Sequence, residues 1–174
     1  MKLVLAISGA SGVELGKKFI EYLPPHIELH LITTNHALTV NQFENQNSIT
    51  LHKNSNIASS IASGSFQVDA TAIIPCSMNT LAKISCGIAD NLVTRVASVA
   101  LKEQKKLLLA PREMPFSAIA LENMLKLSRL NVIIAPPVMG YYSDAKTIED
   151  MERFMIGKWY DILGIENDVY ERWS

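Results

Sequence analysis

Residues 101–116, LKEQKKLLLAPREMPF, put an arginine and a glutamate side by side where chemistry is expected. The apolar run at 107–110 reads as a buried strand and passes straight into Pro111-Arg112-Glu113-Met114-Pro115. Ligands of open α/β sheets bind at the carboxyl ends of the strands. There Arg112 offers a cation for an anionic group, and Glu113 offers a carboxyl for proton transfer. An ordinary surface ion pair is the alternative, and the flanking prolines count against it.

Four other stretches carry polar groups at comparable positions. The turn Ser8-Gly9-Ala10-Ser11-Gly12, with Gly16 one helical turn on, lets the backbone approach a ligand and turns helix N–H groups toward phosphate. It lacks the full dinucleotide fingerprint, so a plain βα turn stays open. Thr34 closes the second strand where an NAD site would hold an acidic residue, and a hydroxyl there suits a mononucleotide better. Residues 75–80, PCSMNT, open a helix with Ser77 and Thr80 as hydroxyl donors and helix N–H groups as a second cradle; Ser77 as a simple N-cap is the competing reading. Cys76 has no histidine partner and reads as a small core residue. Residues 136–142, PPVMGYY, form a rigid loop whose tyrosines either close over a flat ligand or cap the core. Arg95 and Lys102 fall on one side of a helix, either solvated or at a subunit interface. By pattern alone Glu44 and Lys158 are solvated charges, and His26, His30, His36 and His52 have no ligand spacing.

The elements that must position these groups alternate. Strand-length apolar runs at 3–7, 27–33, 70–74, 107–110 and 132–135 are separated by helical patterns, which predicts βαβ units around a parallel sheet. Helices are expected over 13–23, 91–104 and 118–127. The second carries Leu92, Val96 and Val99 on one stripe; the third is capped by Ser117, with Leu121, Met124, Leu125 and Leu127 as its apolar stripe. Thr147-Ile-Glu-Asp has the form of a capping box, followed by Ile148, Met151, Phe154, Met155 and Trp159 at helical spacing. The expected fold is a single α/β domain over residues 1–174: a doubly wound, mainly parallel, Rossmann-like or flavodoxin-like sheet with helices on both faces.

Composition agrees. The 174 residues are 48% hydrophobic, enough for a substantial core, and a net charge of -1 gives no reason to expect nucleic acid or anionic membrane. Two cysteines make no disulfide framework, no spacing resembles a zinc site, and no run approaches a membrane span. A soluble, cytoplasmic and reduced protein is expected.

The segments GASG, SGSF (63–66), PCSMNTLAKI, the run from Asp90 through Arg95, LKE, PREMPFS, ENMLKLS and GYY together resemble the flavin prenyltransferases, the UbiX-like family, over nearly the whole chain. The resemblance implies transfer of a dimethylallyl group from dimethylallyl monophosphate to N5 and C6 of reduced FMN. The product serves as cofactor for UbiD-type decarboxylases, including one acting on a ubiquinone precursor. It also implies a dodecamer with active sites between subunits. Carried onto this sequence, Gly9, Ala10, Ser11, Thr34, the Ser77-Met78-Asn79-Thr80 turn and Arg112 bind FMN. Tyr142 and Lys158 hold the dimethylallyl phosphate, with Arg95 and Lys102 as further basic contacts. Ser11, Glu44 and Glu113 join Arg95 and Lys102 as the catalytic set. Lys158 stands where some relatives have arginine, exchanging a bidentate fork for a point charge.

Three other readings compete. Flavin-dependent cysteine decarboxylases share the fold but have a PASANT-like turn and a catalytic histidine. A short-chain NAD(P) oxidoreductase would use Tyr142 and Lys146 as YxxxK, but the intervening turn signals break the helix that motif needs. A non-catalytic FMN carrier leaves Glu44 and Glu113 unused.

Overall fold

The structure is a computed structural model that describes residues 1–9, 12–34 and 49–172. Six strands form one sheet: β1 (Lys2–Ile7), β2 (Glu28–Thr33), β3 (Ile49–Lys53), β4 (Ala70–Cys76), β5 (Lys106–Pro111) and β6 (Ile133–Ile134). All pair in parallel, in the order β3-β2-β1-β4-β5-β6. This is the Rossmann order, with its reversal between β1 and β4, and it decides between the two sheet types left open above. Residues 49–53 are the element missing from the five expected strands. As an edge strand, β3 exposes Thr50, Leu51 and Lys53, so no buried face imposes a readable alternation.

Period-two alternation divides the core. Leu3, Leu5 and Ile7 face α1 (Val13–Glu21) and α5 (Ile148–Leu163), while Val4 and Ala6 face α2 (Met78–Ser85) and α3 (Leu92–Lys102). Leu127 of α4 (Ala118–Ser128) joins this second layer. Phe19 and Tyr160 join α1 to α5 edge-to-face, ring centres 4.7 Å apart, an arrangement adding about 0.5–1.5 kcal/mol beyond burial. The Tyr160 hydroxyl donates to the carbonyl of Phe19, one of the orphan acceptors in the last turn of α1.

Local signals place the helix starts well. Ser117 accepts the Ala120 N–H, and Asn91 and Thr147 form reciprocal capping boxes with Thr94 and Asp150. The apolar stripes are less faithful. Ile148 is exposed at the start of α5, and Leu121 and Leu125 of α4 face outward. Two of the histidines without ligand spacing, His30 and His52, acquire a structural use. His30 Nδ1 lies 3.0 Å from His52 Nε2, and the far nitrogens meet Glu28 and Ser59 at 3.1 and 2.8 Å. Among the described residues no helix is long and apolar enough to cross a membrane.

Candidate active site

The carboxyl ends of β1 and β4 meet at the point where the strand order reverses. Ser8 joins them: its buried hydroxyl donates to the Pro75 carbonyl and accepts the Ser77 N–H, both at 2.9 Å. Gly12 follows with φ +107°, a left-handed conformation that side chains resist, and it caps α1 without any side-chain hydrogen bond. The other four α-helices differ: α2, α3, α4 and α5 are each capped by a side-chain oxygen, from Ser77, Asn91, Ser117 and Thr147 respectively. Among the described α-helices, α1 alone has an N-cap residue that makes no side-chain hydrogen bond, and a helix start of this kind suits an incoming anion. Gly9 is exposed on this turn; Ala10, Ser11 and Glu44 lie outside the described residues. Thr34 donates both its N–H and its hydroxyl to the Ile7 carbonyl at 3.2 Å, fastening the end of β2 to β1.

On the other side of the reversal, Ser77 performs the capping role weighed against ligand binding. Its oxygen accepts the Thr80 N–H at 3.2 Å and its hydroxyl donates to Thr80 Oγ1 at 2.9 Å. Met78 is half-buried and Asn79 exposed beside them. The Arg112 N–H donates to the Cys76 carbonyl at 3.4 Å, which sets the end of β5 against this turn. The Arg112 side chain is exposed at the rim. Glu113 is exposed next to it, its carboxylate accepting the Met114 N–H at 3.0 Å. The expected juxtaposition of Gly9, Thr34, the Ser77–Thr80 turn, Arg112 and Glu113 on one rim thus follows from strand order.

Cys76 is no nucleophile. Burial pushes its thiol up to about 12, so it stays protonated at neutral pH. Thiol reagents are expected to leave Cys76 unmodified in the folded protein and to label it after denaturation, as peptide mass mapping would show; native labelling at Cys76 contradicts this burial.

Tyr142 and Lys158 come together at a cleft of about 340 Å³. Tyr170 and Arg172 share its lining, as do the carboxylates Asp144 and Glu171. The sequence reading named Ser8 only as part of the glycine turn and gave Tyr170 and Arg172 no role, because the partners that define them are distant in sequence or become apparent only on folding. Arg95 and Lys102 are not brought to this cleft within one chain. They are exposed on α3, across the sheet from α5, and Lys102 pairs with Glu103 at 2.8 Å. No group of three or more His, Cys, Asp or Glu side chains among the described residues is placed to hold a metal ion.

A doubly wound parallel sheet with a glycine turn at its strand-order reversal has the architecture of the nucleotide-binding α/β class, and comparison narrows that class. The flavoprotein family model matches residues 1–163. The flavin prenyltransferase UbiX of Helicobacter pylori is 50% identical over 185 residues, covering 100% of this chain and 99% of that protein. Among solved structures, a dodecameric FMN-dependent UbiX-like decarboxylase from Escherichia coli O157:H7 superposes with TM-score 0.90 at 40% identity, covering 100% of both chains. AnUbiX in complex with FMN and dimethylallyl pyrophosphate gives TM-score 0.90 at 35% identity, covering 99% of this chain and 97% of that one. The chain belongs to the flavoprotein family and, within it, to the flavin prenyltransferases of UbiX type. The peptidyl-cysteine decarboxylase EpiD, at 21% identity and TM-score 0.64, shares the fold alone.

Proposed function

We propose that residues 1–174 act as one flavoprotein domain that moves the dimethylallyl group of dimethylallyl monophosphate onto N5 and C6 of reduced FMN, making the prenylated cofactor used by UbiD-type decarboxylases. The observation that carries this reading is the shared rim: an uncapped α1 terminus, Arg112 and Glu113 stand at the carboxyl edge of one sheet. The family resemblance assigns Gly9, Ala10 and Ser11 to FMN; the start of α1 and the guanidinium of Arg112 suit its phosphate, and the Ser77–Thr80 turn suits its polar ring edge. Reduced FMN, when bound, supplies the nucleophilic atoms.

The chain's own groups manage charge and protons. Cleaving the allylic C–O bond places negative charge on the departing phosphate. Tyr142 and Lys158, with Arg95 and Lys102, stabilise that charge more in the transition state than in the ground state. Arg95 and Lys102 lie across the sheet from α5, so their participation requires a second copy of the chain. Exposed Met114, Ile119, Leu121, Val138 and Met139 supply apolar surface for such a homo-oligomer. The dodecamer is the form this reading expects. Glu113 donates a proton to the phosphate and later accepts one from the carbon acceptor, and the family resemblance assigns Ser11 and Glu44, outside the described residues, to the same catalytic set. Met78, Tyr141 and Tyr142 keep water from the allylic centre. A cytoplasmic setting belongs to this reading, supported by the two unpaired cysteines.

Anaerobic incubation with reduced FMN and dimethylallyl monophosphate is expected to add one prenyl mass to the flavin. Unchanged flavin mass with both ligands bound would leave an FMN carrier as the better reading.

A further inference from the structure

Asp161 gathers the C-terminal segment. Arg172 donates from Nη1 and Nη2 to its two carboxylate oxygens at 3.0 and 2.7 Å, a bidentate pair. The Tyr170 hydroxyl donates to Oδ2 at 2.6 Å, and the Asn167 amide to Oδ1 at 3.0 Å. Held this way, the Tyr170 ring stands edge-on to Phe154, centres 5.4 Å apart, and Phe154 stands edge-on to Tyr142 at 5.5 Å. Two glycines make room for the ladder: a Cβ on Gly157 would collide with the Tyr170 ring, and one on Gly140 with Phe154. The last rung, Tyr142, shares its cleft with Lys158, the residue after Gly157.

We propose that Asp161 is a positioning residue. By clasping Tyr170 and Arg172 it locks the Tyr170–Phe154–Tyr142 ladder, so that Tyr142 and Lys158 present a preformed wall to the anionic end of the allylic substrate. The inference rests on reading those two residues as the phosphate site. Its physical basis is preorganisation: ordering the exposed Tyr142 before binding removes a conformational cost that the substrate would otherwise meet. The acidic neighbours Asp144 and Glu171 make that placement matter, because a loosened Lys158 has carboxylates of its own to pair with. Burial works to raise the Asp161 pKa, but the hydrogen bonds from Arg172, Tyr170 and Asn167 carry it below the usual aspartate value. The carboxylate that makes the clasp is therefore ionised at neutral pH.

The test compares the full-length wild type with Asp161→Ala and Tyr170→Phe in two readouts. In hydrogen–deuterium exchange, Asp161→Ala should speed exchange about tenfold in residues 140–144 and 165–172 while leaving β1 and β4 unchanged. Unaltered exchange at 140–144 overturns the proposal. In steady-state prenylation, Asp161→Ala should raise KM for dimethylallyl monophosphate about tenfold, with kcat and FMN affinity within about twofold. A fall in kcat alone, or an unmoved KM, also overturns it. Tyr170→Phe keeps the ring and loses one hydrogen bond, so a smaller rise in KM is expected. Should the wild type transfer no prenyl group, the substrate reading falls, and the exchange data still decide whether the clasp orders Tyr142.

Discussion

Glu113→Gln is expected to bind FMN as the wild type does and to transfer the prenyl group about 10²–10⁴-fold more slowly, the range that a positioned acid or base supplies. Glutamine has nearly the same shape and keeps an oxygen to accept the Met114 N–H, so the turn after β5 should stand. What it loses is the exchangeable proton. The departing phosphate then leaves with its full charge, and no carboxylate is present to take the proton from the carbon acceptor. Single-turnover mixing under anaerobic conditions, followed by flavin mass, separates the effect on transfer from any effect on FMN affinity. An unchanged rate would remove Glu113 from the proton path. A parallel loss of flavin binding would make it a structural member of the rim.

Gly16→Ala should destabilise the fold by about 1–3 kcal/mol and weaken FMN binding along with it. Helix propensity alone argues the other way, since alanine is favoured over glycine inside a helix by about 1 kcal/mol. Packing reverses the sign. A Cβ at this position would lie 2.8 Å from the Ile7 Cδ1 and 2.8 Å from the Ile74 carbonyl oxygen. The isoleucine methyl can turn aside, but the carbonyl belongs to the backbone of β4, so α1 must back away from the sheet. That movement spreads the junction stitched by Ser8, on which the α1 terminus and the Ser77 turn both depend. Thermal unfolding and flavin titration check the two effects. A Gly16→Ala protein as stable as the wild type would show that α1 is not seated as tightly as the structure has it.

The distribution of legible and illegible features follows from the range of the interactions. Two helix starts were readable because capping acts over three residues, from Ser117 to Ala120 and from Thr147 to Asp150, whereas the helix at 91–104 was placed by its apolar stripe. The central strands were readable because burial on both faces makes them continuously apolar. β3 was not, because an edge strand with exposed Thr50, Leu51 and Lys53 leaves little trace in composition. The same holds for the outward-facing Ile148, Leu121 and Leu125, which sequence pattern assigns to a core that they do not join. At the site, Arg112 and Glu113 stood out because a strand end between prolines is a local feature. Ser8, bonded to partners 67 and 69 residues away, gave no comparable signal.

By itself, the order of apolar runs, glycine turns and caps determined a parallel α/β sheet and the rim on which Gly9, Thr34, Ser77, Arg112 and Glu113 meet. Its motifs also pointed to the flavin prenyltransferase family. Only the tertiary structure decided that β1 and β4 adjoin at the reversal of strand order, that Tyr142 and Lys158 share a cleft with Tyr170 and Arg172, and that Arg95 and Lys102 stand across the sheet from them. Periodicity and capping operate within a few residues, whereas strand order, the choice of sheet face and the clasp at Asp161 arise from contacts between segments that meet only when the chain has folded.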